Sequence, residues 1–170
     1  MFRIWIGNLG KYNEGELIGE WVDLPCEDFD EVFERIGIDE HYEETFIADF
    51  ENDYGYHVDE YDNLEMLNGV AQELYALDEL NGEKEIYITL NENGYNHDEI
   101  MRIIADYDYT IYSDCKDMGE VAYEVYEQMG KIEEIEKTLP SYYIDWDAIG
   151  NDLEINGNFY EYANGYVEVW

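Results

Sequence analysis

The chain has 170 residues, with 44 Asp and Glu against 8 Lys and Arg and a formal net charge of -36. That balance excludes a binder of nucleic acid or anionic membranes, since both demand Lys and Arg. Apolar residues make up 46% of the chain, too many for a disordered acidic tail, and the length suits one compact domain or two to three small ones.

Phe2 to Gly7 alternates as a strand does, and a loop rich in Gly and Asn follows (Asn8, Gly10, Asn13, Gly15). Leu17 to Leu24 reads as a second strand closed by Pro25. Asp28, with Glu31 at the third position, is a variant capping box for a short helix. The apolar face of that helix is Phe29, Val32, Phe33 and Ile36, and Gly37 ends it. Thr45 to Phe50 reads as a third strand. Asp62 or Asn63 caps a second helix, with Leu64, Leu67, Val70, Ala71, Leu74 and Leu77 at helical spacing, broken by Asn81-Gly82. Glu83 to Leu90 is ambiguous: Ile86, Ile88 and Leu90 alternate like a strand, but helices flank them. Asn96 and Glu99 form a capping signal for a helix from His97 to about Ala105, with Ile100, Ile103 and Ile104 inward.

Tyr109 to Tyr112 predicts a short strand. Asp117 opens a helix to Gln128, with Val121, Ala122, Val125 and Met129 on one face, and Gly130 stops it. Ile132 to Leu139 predicts a shorter helix ended by Pro140, and Tyr143 to Ile149 is a candidate for another. Asn164-Gly165 between two aromatic runs, Asn158 to Tyr162 and Tyr166 to Trp170, is a strong hairpin signal. The predicted class is α+β, with mixed small sheets and short helices. The expected division is a 1–60 α+β domain, a mainly helical 61–106 domain, and a 107–170 α+β domain with the terminal hairpin.

The stretch from Ile36 to Glu83 holds fifteen acids and no Lys or Arg, threaded with aromatic and aliphatic residues. A surface with no use for its charge would mix both signs, so the charge itself is the functional candidate. The candidate acids are Asp39, Glu40, Glu43, Glu44, Asp49, Glu51, Asp53, Asp59, Glu60, Asp62, Glu65, Glu73, Asp78 and Glu79. Carboxylates at i and i+2 of a strand stand about 6.6 Å apart, and at i and i+4 of a helix about 6 Å along the axis. DNA carries one charge per about 1.7 Å of axis over both strands, so a folded acidic chain can present charge at comparable spacings.

Other chemistry is poorly supported. Acids are so abundant that no carboxylate pair stands out as catalytic. Asp49-x-Glu51-x-Asp53 with Glu60 at the twelfth position partly copies a calcium loop, but the sixth position is Tyr54 where Gly is needed. His41, His57 and His97 share no metal-ligand spacing, and Cys26 and Cys115 form no C-x-x-C motif. No catalytic residue, cofactor or metal site is therefore predicted, and the chain is not read as an enzyme. The N-terminus lacks signal-peptide features, and no apolar run approaches the ~18 residues of a membrane span. A cytoplasmic protein with reduced cysteines is expected.

Ile4-Trp5-Ile6-Gly7-Asn8-Leu9-Gly10-Lys11-Tyr12-Asn13-Glu14-Gly15-Glu16-Leu17 and Gly19-Glu20-Trp21-Val22-Asp23-Leu24-Pro25 resemble the N-terminal signature of the ArdA antirestriction family. Ser113-Asp114-Cys115-Lys116-Asp117-Met118 with Val121-Ala122 resembles its later strand–helix junction. Leu139-Pro140, Tyr143-Ile144-Asp145-Trp146, Gly150-Asn151-Asp152-Leu153 and the closing hairpin resemble its C-terminal part. The resemblance implies an elongated three-domain chain that dimerises, imitates bent B-form DNA and occupies the DNA cleft of type I restriction–modification enzymes, at their methyltransferase core. It also implies carriage on a mobile element and, at 78–100, helix rather than strand. The family brings no catalytic residues.

The expected dimer contact lies at about 126–146: Tyr126, Met129, Ile132, Ile135, Leu139, Tyr142 and Tyr143, with Lys131 and Lys137 to lower repulsion between two polyanions. Two other classes compete with the inhibitor. One is an acidic calcium-binding protein. The other is a chaperone-like binder of basic proteins.

Overall fold

β1 (Phe2–Asn8) is the centre of the first sheet, with β2 (Gly19–Asp23) and β3 (Thr45–Asn52) antiparallel on its two sides. The computed structural model describes residues 1–77 and 81–170, which fall into two compact units, Met1–Lys84 and Glu85–Trp170. Strand alternation sends Phe2, Ile4 and Ile6 inward, while Arg3 and Trp5 stand on the other face. Trp5 pairs with Asp49 but Ile6 with Ile47, so Ala48 is an extra residue in β3. This bulge leaves both Ala48 and Asp49 exposed and breaks the alternation.

The predicted loop after β1 contains a short helix, α1 (Leu9–Asn13). Asn8 explains it. Its side chain is fully buried, and its Oδ1 accepts from the Lys11 N–H at 3.0 Å, capping α1. Its Nδ2 donates to the carbonyls of Ile36 (3.2 Å) and Gly37 (2.9 Å) at the end of α2 (Phe29–Ile36). One amide thus satisfies orphan groups at the start of one helix and the end of another. α2 keeps its cap and stop but not the expected capping box: the Asp28 carboxylate accepts from the Asp30 N–H, while Glu31 faces Arg35 at 3.8 Å; Phe29, Val32 and Ile36 are buried, and Gly37 takes the left-handed conformation at φ 75°.

Asn63, not Asp62, caps α3 (Leu64–Tyr75), accepting from the Met66 N–H at 2.9 Å. α3 buries Leu67, Val70, Ala71 and Leu74. Asn68 on the same helix accepts from the Cys26 N–H (2.6 Å) and donates to the Cys26 carbonyl (2.9 Å), tying α3 to the loop between β2 and α2 through a two-way amide contact.

α4 (Glu83–Glu92), at the boundary between the units, is a helix, and its buried residues Ile86, Tyr87, Thr89 and Leu90 follow helical spacing. α5 (His97–Asp106) carries the full capping box, with Asn96 and Glu99 exchanging two side-chain-to-backbone hydrogen bonds of 3.0 Å. The second sheet has the order β4-β6-β5, from β4 (Tyr109–Ser113), β5 (Phe159–Tyr162) and β6 (Gly165–Val169), all antiparallel. The hairpin turn is Ala163-Asn164, with Gly165 already paired to Tyr162. Gly165 has φ 144°, and a Cβ there would stand 2.1 Å from the Tyr112 carbonyl oxygen, so β4 leaves no room for a side chain.

Tyr112, Cys115, Met118, Val121 and Val125 form the core beneath that sheet, with Leu153 and Phe159 packed against it. α6 (Met118–Gln128) matches its predicted span. α7 (Ile132–Glu136) stops three residues short of the predicted Leu139. The candidate helix from Tyr143 to Ile149 is corrected to a 3₁₀ turn (Ser141–Tyr143) and a longer α8 (Trp146–Asn156). Gly150 directly follows the span expected for that helix. In the fold it is buried mid-helix where α8 meets α6, and a Cβ there would lie 2.3 Å from the Met118 carbonyl. Tertiary contact overrides the poor helix propensity of glycine.

Gly150→Ala should therefore lower stability by about 1–3 kcal/mol through overpacking, despite the gain in helix propensity. Asn8→Ala should lower it by a similar amount, about 1–3 kcal/mol, by orphaning buried carbonyls. Urea denaturation reads both. An unchanged midpoint for Gly150→Ala would remove the close helix crossing from this account.

Candidate functional site: the acidic surface

Among the described residues no Asp or Glu is buried. Desolvating a carboxylate is costly, so the fold turns every one outward. Residues 1–84 hold 24 acids and 4 bases, and residues 85–170 hold 20 and 4, so the charge is shared by both units.

The candidate acids fall into three groups. Asp39, Glu40, Glu43 and Glu44 lie exposed in the loop between α2 and β3. Asp39 organises that loop: its Oδ1 accepts from the backbone N–H of His41 (2.7 Å) and Tyr42 (2.9 Å), which holds its carboxyl below the usual range. Asp49 and Glu51 stand at i and i+2 on β3, followed by Asp53. Glu51 is paired with Arg3 at 2.7 Å. Asp53 is hydrogen-bonded to the Met1 ammonium, which lowers its pKa. Asp59, Glu60, Asp62 and Glu65 run along the approach to α3 and its first turn. Asp62 is half-buried and accepts from the Asp59 N–H at 2.8 Å. The Glu60 carboxylate beside it raises the pKa of the Tyr61 phenol. Glu73 is exposed near the end of α3. Asp78 and Glu79 lie outside the described residues.

Arg3 and Arg35 reach across sequence to neutralise Glu51 and Glu20, a long-range pairing with no local signal. In the second unit bases are interspersed with the acids. Among the described residues, however, Arg102, Lys116, Lys131 and Lys137 enter no ion pair. Glu120, Glu127, Glu133, Glu134 and Glu136 are all exposed near these lysines in sequence.

The seven residues of the expected dimer contact separate into support and surface. Ile132 is buried, Ile135 is half-buried, and Tyr126 packs on the core with its ring 5.6 Å from Trp146. Met129, Leu139, Tyr142 and Tyr143 are 60, 43, 77 and 67% exposed, and the last two rings lie 4.5 Å apart. Among the described residues no three or more His, Cys, Asp or Glu lie close enough to hold a metal ion. Among them, too, no helix is long and apolar enough to cross a membrane.

The model of the ArdA family, described as antirestriction protein, matches residues 4–168. The chain belongs to that family. A search of curated proteins finds no match. The match runs from β1 into β6, so both compact units belong to the antirestriction protein. The motifs that carry the resemblance include Asn8, the Asp117 cap of α6 and Gly150 at the α6–α8 crossing.

Adjacent carboxylates about 7 Å apart in water repel by roughly 0.6 kcal/mol, and salt screens this over a Debye length of about 8–10 Å. The melting temperature of the ArdA protein should therefore climb as NaCl is raised from about 0.01 M to 0.5 M. Scanning calorimetry reads it, and a flat profile would mean that repulsion does not limit the fold.

Proposed function

We propose that this antirestriction protein acts by presenting the charge and spacing of B-form DNA to a type I restriction–modification enzyme, occupying the DNA-binding cleft of its methyltransferase core. The observation that carries this reading is the outward placement of the carboxylates, none of them buried among the described residues and few of them paired with a base. Such a surface attracts a basic cleft and steers association. The protein needs no catalysis or cofactor for this, and works in the cytoplasm where incoming DNA of a mobile element meets the enzyme. In this reading residues 1–60, 61–106 and 107–170 carry successive stretches of the surface.

A two-fold dimer would extend the mimic and match the two DNA half-sites of such an enzyme. Its contact would use Met129, Leu139, Tyr142 and Tyr143, with Tyr126, Ile132 and Ile135 supporting them from within the unit. Sedimentation at micromolar concentration should show the dimer, and Tyr142→Glu should shift it toward monomer. A wild-type monomer that still inhibits would defeat this part.

The decisive experiment is competition between this protein and the enzyme's DNA target for the methyltransferase core. Neutralising one exposed acid, Asp49→Asn or Glu43→Gln, should weaken binding less than about fivefold, because each exposed pair is worth only about 0.2–1 kcal/mol. Neutralising Glu40, Glu43, Glu44, Asp49, Asp59 and Glu73 together should cost roughly a hundredfold. Loss of nearly all binding from a single one of these changes would point to a localised site and against mimicry. Stoichiometric calcium binding, or equal binding to any histone-like protein, would favour the competing classes.

A further inference from the structure

The first unit contains a groove of about 590 Å³ between the start of α2, β3 and the approach to α3. One wall is aromatic. Phe29 and Phe33, one helical turn apart, stack with ring centres 6.2 Å apart and planes 20° apart. Phe29 is buried beneath, while Phe33 is half-buried and offers its ring to the groove. Tyr61 lines it too and is 67% exposed. Glu27, Asp30 and Glu65 also line it, all exposed, and none enters an ion pair among the described residues.

An apolar ligand would leave those carboxylates unmatched. A metal ion would need them converged on a point, and among the described residues no such group exists. A cation that is flat, delocalised and held on a long apolar stem suits both the rings and the acids. The guanidinium of arginine stacks on aromatic faces and donates to carboxylates in its plane, whereas the lysine ammonium is a compact, strongly hydrated charge. The chain already uses this arrangement within itself: the Arg3 guanidinium lies 4.7 Å from the centre of the Trp21 ring while its Nη2 donates to Glu51 at 2.7 Å. The volume falls in the range of ligand pockets, about 300–1,000 Å³, and exceeds one side chain, so a short segment of chain can enter with it.

We propose that this groove receives an arginine side chain carried by a segment of the partner protein. The identity of that partner, the basic cleft of the restriction enzyme, rests on the function proposed above. The groove would then supply a fixed, aromatic contact inside a surface whose other contacts are diffuse charge.

Backbone amide NMR of the full chain, titrated with N-acetyl-arginine amide and separately with N-acetyl-lysine amide in moderate salt, tests the groove without the enzyme. Saturable shifts confined to residues 26–33 and 60–68, tighter for arginine and lost in Tyr61→Ala, are expected. Shifts that never saturate and follow acids throughout the chain, or equal behaviour of the two probes, would overturn it. The second arm measures binding to the methyltransferase core. Tyr61→Ala should weaken it roughly fivefold or more, an effect persisting at high salt, while truncating the equally exposed Tyr107 should not. Inhibition by the wild type without a saturable arginine site would sink the groove alone. A saturable site in a protein that does not compete with DNA would instead sink the DNA-mimic reading and leave the groove standing.

Discussion

Every element of this protein must bury an apolar face strongly enough to hold together a chain whose other faces repel one another. Segregation within each element achieves this. β1 sends Phe2, Ile4 and Ile6 inward; α5 buries Ile100, Ile103 and Ile104 and leaves Asp98 and Glu99 in its first turn, where the helix dipole favours negative charge. The same holds for Asp30 and Glu31 in α2 and Glu120 in α6. Acids thus serve as caps and first-turn residues before they serve as surface, so much of the charge also stabilises the local structure that displays it.

Where sequence signals are local, the fold was legible. The caps at Asp28, Asn96 and Asp117 and the stop at Gly37 lie within a few residues of their partners, and each appears where its pattern predicts it. The α+β class follows from those elements. What stayed hidden depends on distant partners. Asn8 reads as a loop residue because the carbonyls it satisfies belong to Ile36 and Gly37. Gly150 has no local explanation, because its reason for being glycine is the backbone of Met118. The Ala48 bulge is set by register against Trp5 and Ile6, and nothing in the β3 sequence announces it.

The candidate surface was legible in kind and not in detail. That carboxylates would be exposed follows from their desolvation cost alone. Which ones are already neutralised does not, because Arg3 finds Glu51 and Arg35 finds Glu20 only after the sheet and α2 have formed. The paired acids lie on the first unit's sheet and its neighbouring helix. The loop acids Glu40, Glu43 and Glu44 stay in solvent, and the groove beside α2 adds shape to charge. In the function proposed above, many weak, screened attractions would combine with a small number of fitted contacts, as they do at protein–DNA interfaces.

The central claim is that this surface takes the place of DNA, and the salt dependence of its complex tests that most directly. Affinity for the methyltransferase core should be measured across a series of NaCl concentrations beside the enzyme's own DNA target. A mimic that engages the same cationic cleft should give a steep, linear fall of log affinity with log salt, comparable in slope to that of the DNA. A shallow or flat dependence, with binding unaffected by added DNA target, would contradict the account.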